Sequence, residues 1–130
     1  MNIGSVAKET GISAKTIRYY ESIGLTPRPD RQANGYRSYG MNDVATLRFV
    51  QRARGLGFSL EEVRTLLALW RDHERTSADV KQLALDHIES IEAKIGELQT
   101  MKRTLQDLTR RCHGDDRPDC PILEDLAKTG

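Results

Sequence analysis

The sequence predicts a mainly α-helical protein that begins with a winged helix-turn-helix, continues into one long helix and ends in a loop with a short helix. Three observations support this fold class. Glycines separate short amphipathic segments near the N-terminus, an Asn-Gly pair follows them, and residues 78–111 contain no proline and a single glycine. A chain of 130 residues suits one ordinary domain, or a small domain with an appendage.

Two helices joined by a tight turn are predicted at the N-terminus. The first runs from Ile3 to Thr10 and stops at Gly11, and Ser13 caps a second that runs to Ile23 and stops at Gly24. The short glycine-containing link between them is typical of a helix-turn-helix. A recognition helix presents its N-terminal half to the major groove, which here exposes Lys15, Thr16, Arg18 and Tyr19.

An arginine-rich hairpin is predicted after these helices. The segment from Arg31 to Tyr39 contains Asn34-Gly35, the strongest short hairpin signal because both residues tolerate positive φ. A generic helical hairpin would explain the preceding turn, but it would not require such a segment directly after it. The pattern therefore indicates a two-stranded wing.

The charge of the chain is asymmetric although the net charge is only +1. Residues 1–58 hold nine Lys/Arg against four Asp/Glu, whereas residues 59–130 hold eleven against fifteen. All four tyrosines also lie in the basic part, where they either contact a polyanion or fill core and surface. We interpret the basic part as a nucleic-acid-binding region.

Two further helices are predicted, from Asn42 to Arg54 and from Ser59 to about His73. Ser59 and Glu62 form a capping box at the start of the second. Its apolar face is interpreted as core and comprises Leu60, Val63, Leu66, Leu67 and Trp70. The arginines of the first helix either face solvent or contact phosphate: Arg48, Arg52 and Arg54.

A helix of roughly 50 Å is predicted from Ala78 to Arg111. Its apolar stripe recurs every three or four residues at Ile88, Ile91, Ile95, Leu98, Met101, Leu105 and Leu108. Packing on the chain's own N-terminal part would cover only a portion of such a stripe. We therefore expect a parallel or antiparallel partner helix from a second copy, which gives a two-fold dimer.

The two cysteines follow this helix, with a turn-forming segment between them. Cys120 is predicted at a helix N-cap before Pro121, where free amides favour thiolate. Cys112 and Cys120 alone suit a soft monovalent d¹⁰ ion in linear coordination, since structural zinc requires four ligands. A regulatory disulfide stays possible, as does zinc completed by neighbouring side chains: His113, Asp115, Asp116 and Asp119.

Over nearly its whole length the sequence resembles the MerR family of regulators, and within it the monovalent copper sensors of CueR or HmrR type. The resemblance rests on Asn2-Ile3-Gly4, on Thr16-Ile17-Arg18-Tyr19-Tyr20-Glu21, on Asn34-Gly35-Tyr36-Arg37-x-Tyr39, on Arg52-Ala53-Arg54-x-Leu56-Gly57-Phe58 and on Cys-x₇-Cys-Pro-Ile. It implies a winged helix-turn-helix DNA-binding domain over 1–75, an antiparallel coiled-coil dimerisation helix over 76–111, and a metal-binding loop with a closing helix over 112–130.

The resemblance also implies roles for individual residues. Cys112 and Cys120 would bind Cu(I), with Ag(I) or Au(I) as substitutes, and Ser77 of the partner subunit would close the site and favour monovalent ions. A simpler reading of Ser77 is a helix N-cap. Promoter DNA would be contacted by the four recognition-helix residues above, by Arg31, Tyr36 and Arg37 of the wing, and by Arg54.

These features predict a cytoplasmic, homodimeric regulator that binds nucleic acid, and the resemblance implies that it binds promoter DNA and acts on RNA polymerase. The N-terminus has no secretory signal, no stretch of eighteen apolar residues indicates a membrane span, and two cysteines do not make a disulfide scaffold. An enzyme is not expected, because the sequence contains no nucleophile–base pair, glycine-rich phosphate loop or catalytic zinc spacing. A thiol redox regulator and a divalent-metal regulator on the same scaffold remain alternatives.

Overall fold

The computed structural model describes residues 1–29 and 38–128, which contain six helices and no strand. The helices are α1 (Ile3–Thr10), α2 (Ala14–Ser22), α3 (Met41–Gly55), α4 (Leu60–Arg71), α5 (Ser77–Arg111) and α6 (Pro121–Leu126). The predicted mainly helical fold class is therefore confirmed. The chain divides into two compact units, Met1–Val80 and Lys81–Gly130.

The turn between α1 and α2 forms as its sequence predicts. Asn2 caps α1 by accepting a hydrogen bond from the Ser5 amide at 2.8 Å, and Gly11 ends the helix in the left-handed region at φ +73°. Ser13 then caps α2 by accepting from the Thr16 amide at 3.2 Å. Local capping chemistry thus fixes both ends of the turn.

The core of the first unit joins its four short helices. Val6, Ile17, Val50 and Val63, one from each of α1 to α4, are fully buried. α1 packs on both α2 and α3, and α3 packs on α4. Each of the four helices therefore contributes one apolar face to a common interior.

The assignment of Trp70 to the core is wrong, because 42% of its surface is exposed. Its ring stacks on Phe49 with the centroids 4.5 Å apart and the planes within 10°. Val63 and Leu67 of the same helix are buried as predicted, while Leu60 and Leu66 are half-buried. Trp70 follows the helical repeat but lies near the end of α4, where α3 covers one face of the ring.

The long helix α5 spans 35 residues, or about 52 Å. Seven side chains of its apolar stripe are between 41% and 53% exposed, namely Leu85, Ile88, Ile91, Ile95, Leu98, Met101 and Leu105, whereas Leu108 is buried. In the described part of the chain, no helix is apolar over a length that could cross a membrane.

The short helix α6 starts with Pro121 at its first position and has Cys120 as its N-cap. This start agrees with the prediction of Cys120 as the N-cap. Pro121 and Ile122 are half-buried, while Leu123 and Leu126 are 65% and 70% exposed. α6 therefore presents an apolar surface to solvent.

Candidate functional site

The first candidate site is the outer face of α2. Ile17 and Tyr20 are buried at 0% and 7% exposure and hold α2 against the rest of the unit. The neighbouring positions are more accessible: Lys15, Arg18 and Tyr19 are exposed, and Thr16 is half-buried. The four residues predicted to meet DNA thus lie on the accessible side of α2, as a helix entering a groove requires.

Arg54 lies at the end of α3 and is exposed. Its Nη1 donates a hydrogen bond to the carbonyl oxygen of Phe58 at 2.7 Å. This contact closes the turn between α3 and α4, yet a guanidinium carries five N–H donors, so several are left for another acceptor. A structural role for Arg54 and the predicted phosphate contact are therefore compatible.

Arg48 and Arg52 of the same helix are also exposed, and Arg48 is engaged in a salt bridge. Its Nη2 lies 3.0 Å from Oε2 of Glu9, and both side chains are about half exposed or more. The pair joins α3 to α1. Such exposed pairs contribute little stability, typically below ~1 kcal/mol.

The wing residues Arg31, Tyr36 and Arg37 fall in 30–37, outside the described residues. Tyr39, the last residue of the predicted hairpin, is described and is 4% exposed. Its hydroxyl donates to Oε2 of Glu21 at 2.7 Å, and its amide donates to the carbonyl of Met1 at 2.8 Å. Tyr39 therefore fastens the end of the wing segment to α2 and to the N-terminal residue.

The Glu21–Tyr39 pair was not predicted. Glu21 is only 5% exposed although it is ionisable, and burying a carboxylate without partners is costly. The sequence offered one signal, a glutamate directly after two tyrosines on a helix whose other inward positions are apolar. It did not indicate which distant residue would supply the partner.

The second candidate site is formed by the two cysteines, which are free thiols and half-buried. Cys112 follows the last residue of α5 directly, and Cys120 precedes α6. Between them the chain turns at Gly114, φ +65°, and at Asp115, whose carboxylate accepts hydrogen bonds from the Arg117 amide at 2.9 Å and from its Nε at 2.8 Å. These local bonds turn the chain back toward α6, and the Cys112 side chain is near enough to Cys120 to help lower the pKa of its thiol.

The pKa of Cys120 is lowered from its ordinary value, chiefly by the backbone amide of Leu123 and further by that of Ile122 and by the Cys112 side chain. Both amides belong to the first turn of α6. Burial and Glu124 act in the opposite direction. The N-cap position thus favours thiolate at Cys120, as predicted.

The described residues do not gather a third ligand around these sulfurs. His113, Asp115, Asp116 and Asp119 are exposed, and no group of three or more His, Cys, Asp or Glu side chains in the described ranges is arranged to hold an ion. The carboxylate of Asp115 is engaged with Arg117. One chain therefore offers two soft sulfur donors, a set that matches a monovalent d¹⁰ ion better than zinc.

Ser77 is the first residue of α5 rather than its N-cap, so that simpler reading is wrong. The capping group is Thr76, whose Oγ1 accepts a hydrogen bond from the Asp79 amide at 3.2 Å. The donor and the acceptor are three positions apart in the sequence, which is the spacing of a standard cap. Ser77 is exposed, and its hydroxyl is not needed to begin the helix.

Two family models match this chain. Residues 1–70 match the MerR HTH family regulatory protein, and residues 44–108 match the family described as MerR, DNA binding. The two matches overlap over residues 44–70, in α3 and α4, and together they cover residues 1–108.

Known proteins resemble the chain over nearly its full length. The HTH-type transcriptional regulator HmrR of Sinorhizobium medicae is 58% identical over 130 residues, covering 100% of this chain and 88% of the relative. The HTH-type transcriptional regulator CueR of Escherichia coli O6:H1 is 46% identical, covering 98% and 94%. The crystal structure of the transcription regulator PbrR691 from Ralstonia metallidurans CH34 in complex with lead(II) superposes with a TM-score of 0.82 at 35% identity, covering 98% and 99%.

Proposed function

This chain belongs to the MerR family of helix-turn-helix regulators, which are not enzymes, and from this premise we propose that it is a cytoplasmic, copper-responsive transcriptional activator. It binds promoter DNA as a homodimer and responds to Cu(I), or to Ag(I) or Au(I), through Cys112 and Cys120. The controlled genes would be those of copper efflux and detoxification.

The observation that carries the ion assignment is the pair of free, half-buried thiols at the two ends of one loop, around which the described residues gather no third ligand. A monovalent d¹⁰ ion accepts two thiolates as a complete ligand set, and when bound it would supply a bridge between the two sulfurs. The lowered pKa of Cys120 reduces the competition from protons for its sulfur.

DNA binding is assigned to the exposed face of α2 and to the residues around it. Lys15 and Arg18 would supply cations, Tyr19 an aromatic hydroxyl and Thr16 a second hydroxyl. The wing residues Arg31, Tyr36 and Arg37 would grip the backbone beside α2, and Arg54 would add a phosphate contact. Support comes from the basic charge of residues 1–58 and from the exposure of the α2 residues.

Dimerisation through α5 is supported by the spacing of its exposed stripe. In an antiparallel two-fold pair, apolar positions must be mirrored about one point of the helix. The point between residues 96 and 97 mirrors six of the eight stripe positions, pairing Ile95 with Leu98, Ile88 with Leu105 and Leu85 with Leu108. Ile95 and Ile88 would then face leucines of the partner, whereas Ile91 and Met101 would fall opposite Lys102 and Glu92.

The same register supports a role for the partner's Ser77. It sets residue 82 of the partner opposite Arg111, the last residue of α5. The partner's Ser77 would lie five residues further along, about 7.5 Å past the end of the helix, in the direction where Cys112 begins the loop. A hydroxyl there could close the site without adding a strong ligand.

Activation would be a change of DNA shape. The dimer would occupy a pseudo-palindromic promoter whose spacer is too long for RNA polymerase, with or without metal. Ordering of the loop between the cysteines would turn the exposed Leu123 and Leu126 of α6 against the dimerisation helix, and the DNA-binding domains would bend and undertwist the spacer. This is a ligand-driven population shift coupled to DNA deformation.

Two alternatives use the same scaffold. PbrR691 was solved in complex with lead(II), so a divalent-ion regulator is the first. A thiol redox regulator is the second, because two free thiols at the ends of one short loop could be oxidised to a disulfide. The divalent-ion regulator requires ligands beyond the two thiols, and the redox regulator requires that the thiols oxidise before they bind a metal.

Promoter footprinting combined with in vitro transcription tests the proposal directly. Reduced protein is supplied in turn with Cu(I), Ag(I), Au(I), Zn(II), Cd(II), Pb(II) or an oxidant, each with and without chelator. We expect the monovalent ions alone to stimulate transcription while the footprint stays in place. Equal stimulation by a divalent ion, or by the oxidant in the presence of chelator, would replace the copper assignment with the corresponding alternative.

A further inference from the structure

Arg64 connects α4 directly to the end of α2. Its Nη1 donates to the carbonyl oxygen of Gly24 and its Nη2 to that of Ile23, each at 2.9 Å. These residues are 40 and 41 positions apart in sequence from Arg64. The main packing contacts of the unit are those of α1 with α2, α1 with α3 and α3 with α4. The guanidinium of Arg64 therefore links α4 directly to the C-terminal end of α2.

The end of α2 needs such a partner. A helix C-terminus carries unpaired carbonyls and a partial negative charge, which a cation stabilises. α2 has no basic residue in its last turn. Its chain reverses at Gly24, φ +73°, where the Leu25 amide bonds back to the Tyr20 carbonyl at 2.9 Å. Arg64 supplies from another helix the cation that α2 lacks.

We infer that Arg64 is a positioning residue for DNA recognition, which sets the orientation of α2 relative to α4. This inference rests on the proposed assignment of α2 as the recognition helix. Two parallel N–H···O bonds from a planar group fix direction as well as distance, which a single ammonium does not do. The orientation of the DNA-facing side chains on α2 therefore depends on a residue that does not itself need to touch DNA.

The test compares Arg64→Met, Arg64→Lys and the matched control Arg75→Met. Arg75 is also exposed and donates through Nη1 to main-chain carbonyls, those of Asp72 at 2.9 Å and Trp70 at 3.4 Å, but these lie at the end of its neighbouring helix α4. The control thus removes the same charge and the same kind of contact without touching α2. The probe is a duplex selected from random-sequence DNA by the parent protein.

For Arg64→Met we expect DNA affinity to fall about fivefold, the effect of roughly one net hydrogen bond, at a temperature where circular dichroism shows a folded protein. The salt dependence of binding should match that of the parent, because no phosphate contact is lost. Arg64→Lys should recover part of the affinity, and Arg75→Met should bind as the parent does. Amide hydrogen exchange should accelerate at residues 19–25 of Arg64→Met and not in α1 or α3.

Affinity unchanged in Arg64→Met would overturn the inference, and so would a salt slope lower by about one, which indicates a direct phosphate contact. If Arg64→Met does not fold, the affinity and exchange of Arg64→Lys against the parent decide the matter. Arg18→Ala in the same assay distinguishes a failure of the role of Arg64 from a failure of the assignment of α2 as the recognition helix. If Arg18→Ala also binds as tightly as the parent, the assignment of α2 has failed rather than the role of Arg64.

Discussion

Cys112 and Cys120 stand at the two ends of a seven-residue loop that is closed by Asp115 and Arg117, and the Cys112 side chain helps to lower the pKa of the Cys120 thiol. Both thiols lie in the unit Lys81–Gly130, whereas α2 with its exposed cations lies in Met1–Val80. Sensing and DNA binding are thus assigned to different parts of the chain, and substitutions should affect them separately.

Replacing either Cys112 or Cys120 with serine should leave promoter affinity within about twofold of the parent and abolish metal-stimulated transcription. A hydroxyl keeps the size of the side chain but is a poor ligand for a soft ion. Gel-shift titration and in vitro transcription measure the two properties. His113→Ala, which changes the exposed neighbour of Cys112, is the matched control and should retain the response. Loss of DNA binding in the cysteine variants would contradict this division.

The lowered pKa of Cys120 should appear in its reactivity toward iodoacetamide. A thiol reacts as thiolate, and an acid with a lowered pKa is deprotonated at lower pH, so alkylation of Cys120 should rise at a lower pH than that of an unperturbed thiol. Mass spectrometry of the metal-free protein over pH 6–10 would follow the site. The main cause of the lowered pKa is the Leu123 amide, and proline has no backbone N–H, so Leu123→Pro should move the alkylation profile back to higher pH. Identical profiles for the two proteins would remove the amide as the cause.

Arg18→Ala should weaken promoter binding and leave metal affinity unchanged. Arg18 is exposed on α2, and loss of one phosphate contact lowers the salt slope of binding by about one. Arg103→Ala removes an exposed arginine from α5, where Nη2 contacts only Thr100 Oγ1 at 3.4 Å among its described partners, and serves as the control. Fluorescence anisotropy at several salt concentrations distinguishes the two variants. A parental slope and affinity for Arg18→Ala would mean that its side chain does not meet DNA.

The helix boundaries followed from the sequence wherever local chemistry decides them. α1 begins and ends as predicted, and the caps at Ser13 and Ser59 form with the expected amides. Capping and glycine reversal involve residues three or four positions apart, so a single sequence contains all the information they need. The long helix followed from periodicity in the same way, and its predicted start at Ala78 is one residue after the observed start at Ser77.

Contacts between distant residues did not follow from the sequence. The partner of Glu21 is Tyr39, and the carbonyls held by Arg64 lie 40 and 41 residues away, which only the packing of the helices determines. The exposure of Trp70 has the same origin. Ser77 illustrates a local error, since Thr76 precedes it and caps equally well, and the pattern alone could not choose between two adjacent hydroxyls.

Gly96→Ala should stabilise the protein by up to about 1 kcal/mol per chain. Glycine in a helix interior is less favourable than alanine by about that amount, and nothing lies within 4 Å of a Cβ added at Gly96. Urea denaturation at a fixed protein concentration measures the change, since a dimer's stability depends on concentration. Gly114→Ala, at φ +65°, should act in the opposite direction. If Gly96→Ala destabilises instead, the partner helix approaches the backbone at that point.

Ser77→Cys should admit Zn(II) or Cd(II) as an activator, at least in part, while the response to copper is retained or weakened. Two thiolates and a monovalent ion leave a net charge of −1, which the amides at the start of α6 help to offset. A divalent ion on two sulfurs is short of ligands, and a serine hydroxyl supplies a poor third, whereas a thiolate supplies a strong one. The substitution should not disturb the start of α5, because Thr76 provides the cap.

Ser77→Ala is the control and should ignore divalent ions, and in vitro transcription with each ion measures the response of both variants. If Ser77→Cys still ignores divalent ions, selectivity resides in the loop between Cys112 and Cys120. If the unmodified protein already answers zinc as strongly as copper, the monovalent assignment is wrong, and His113 with the loop aspartates becomes the source of the additional ligands.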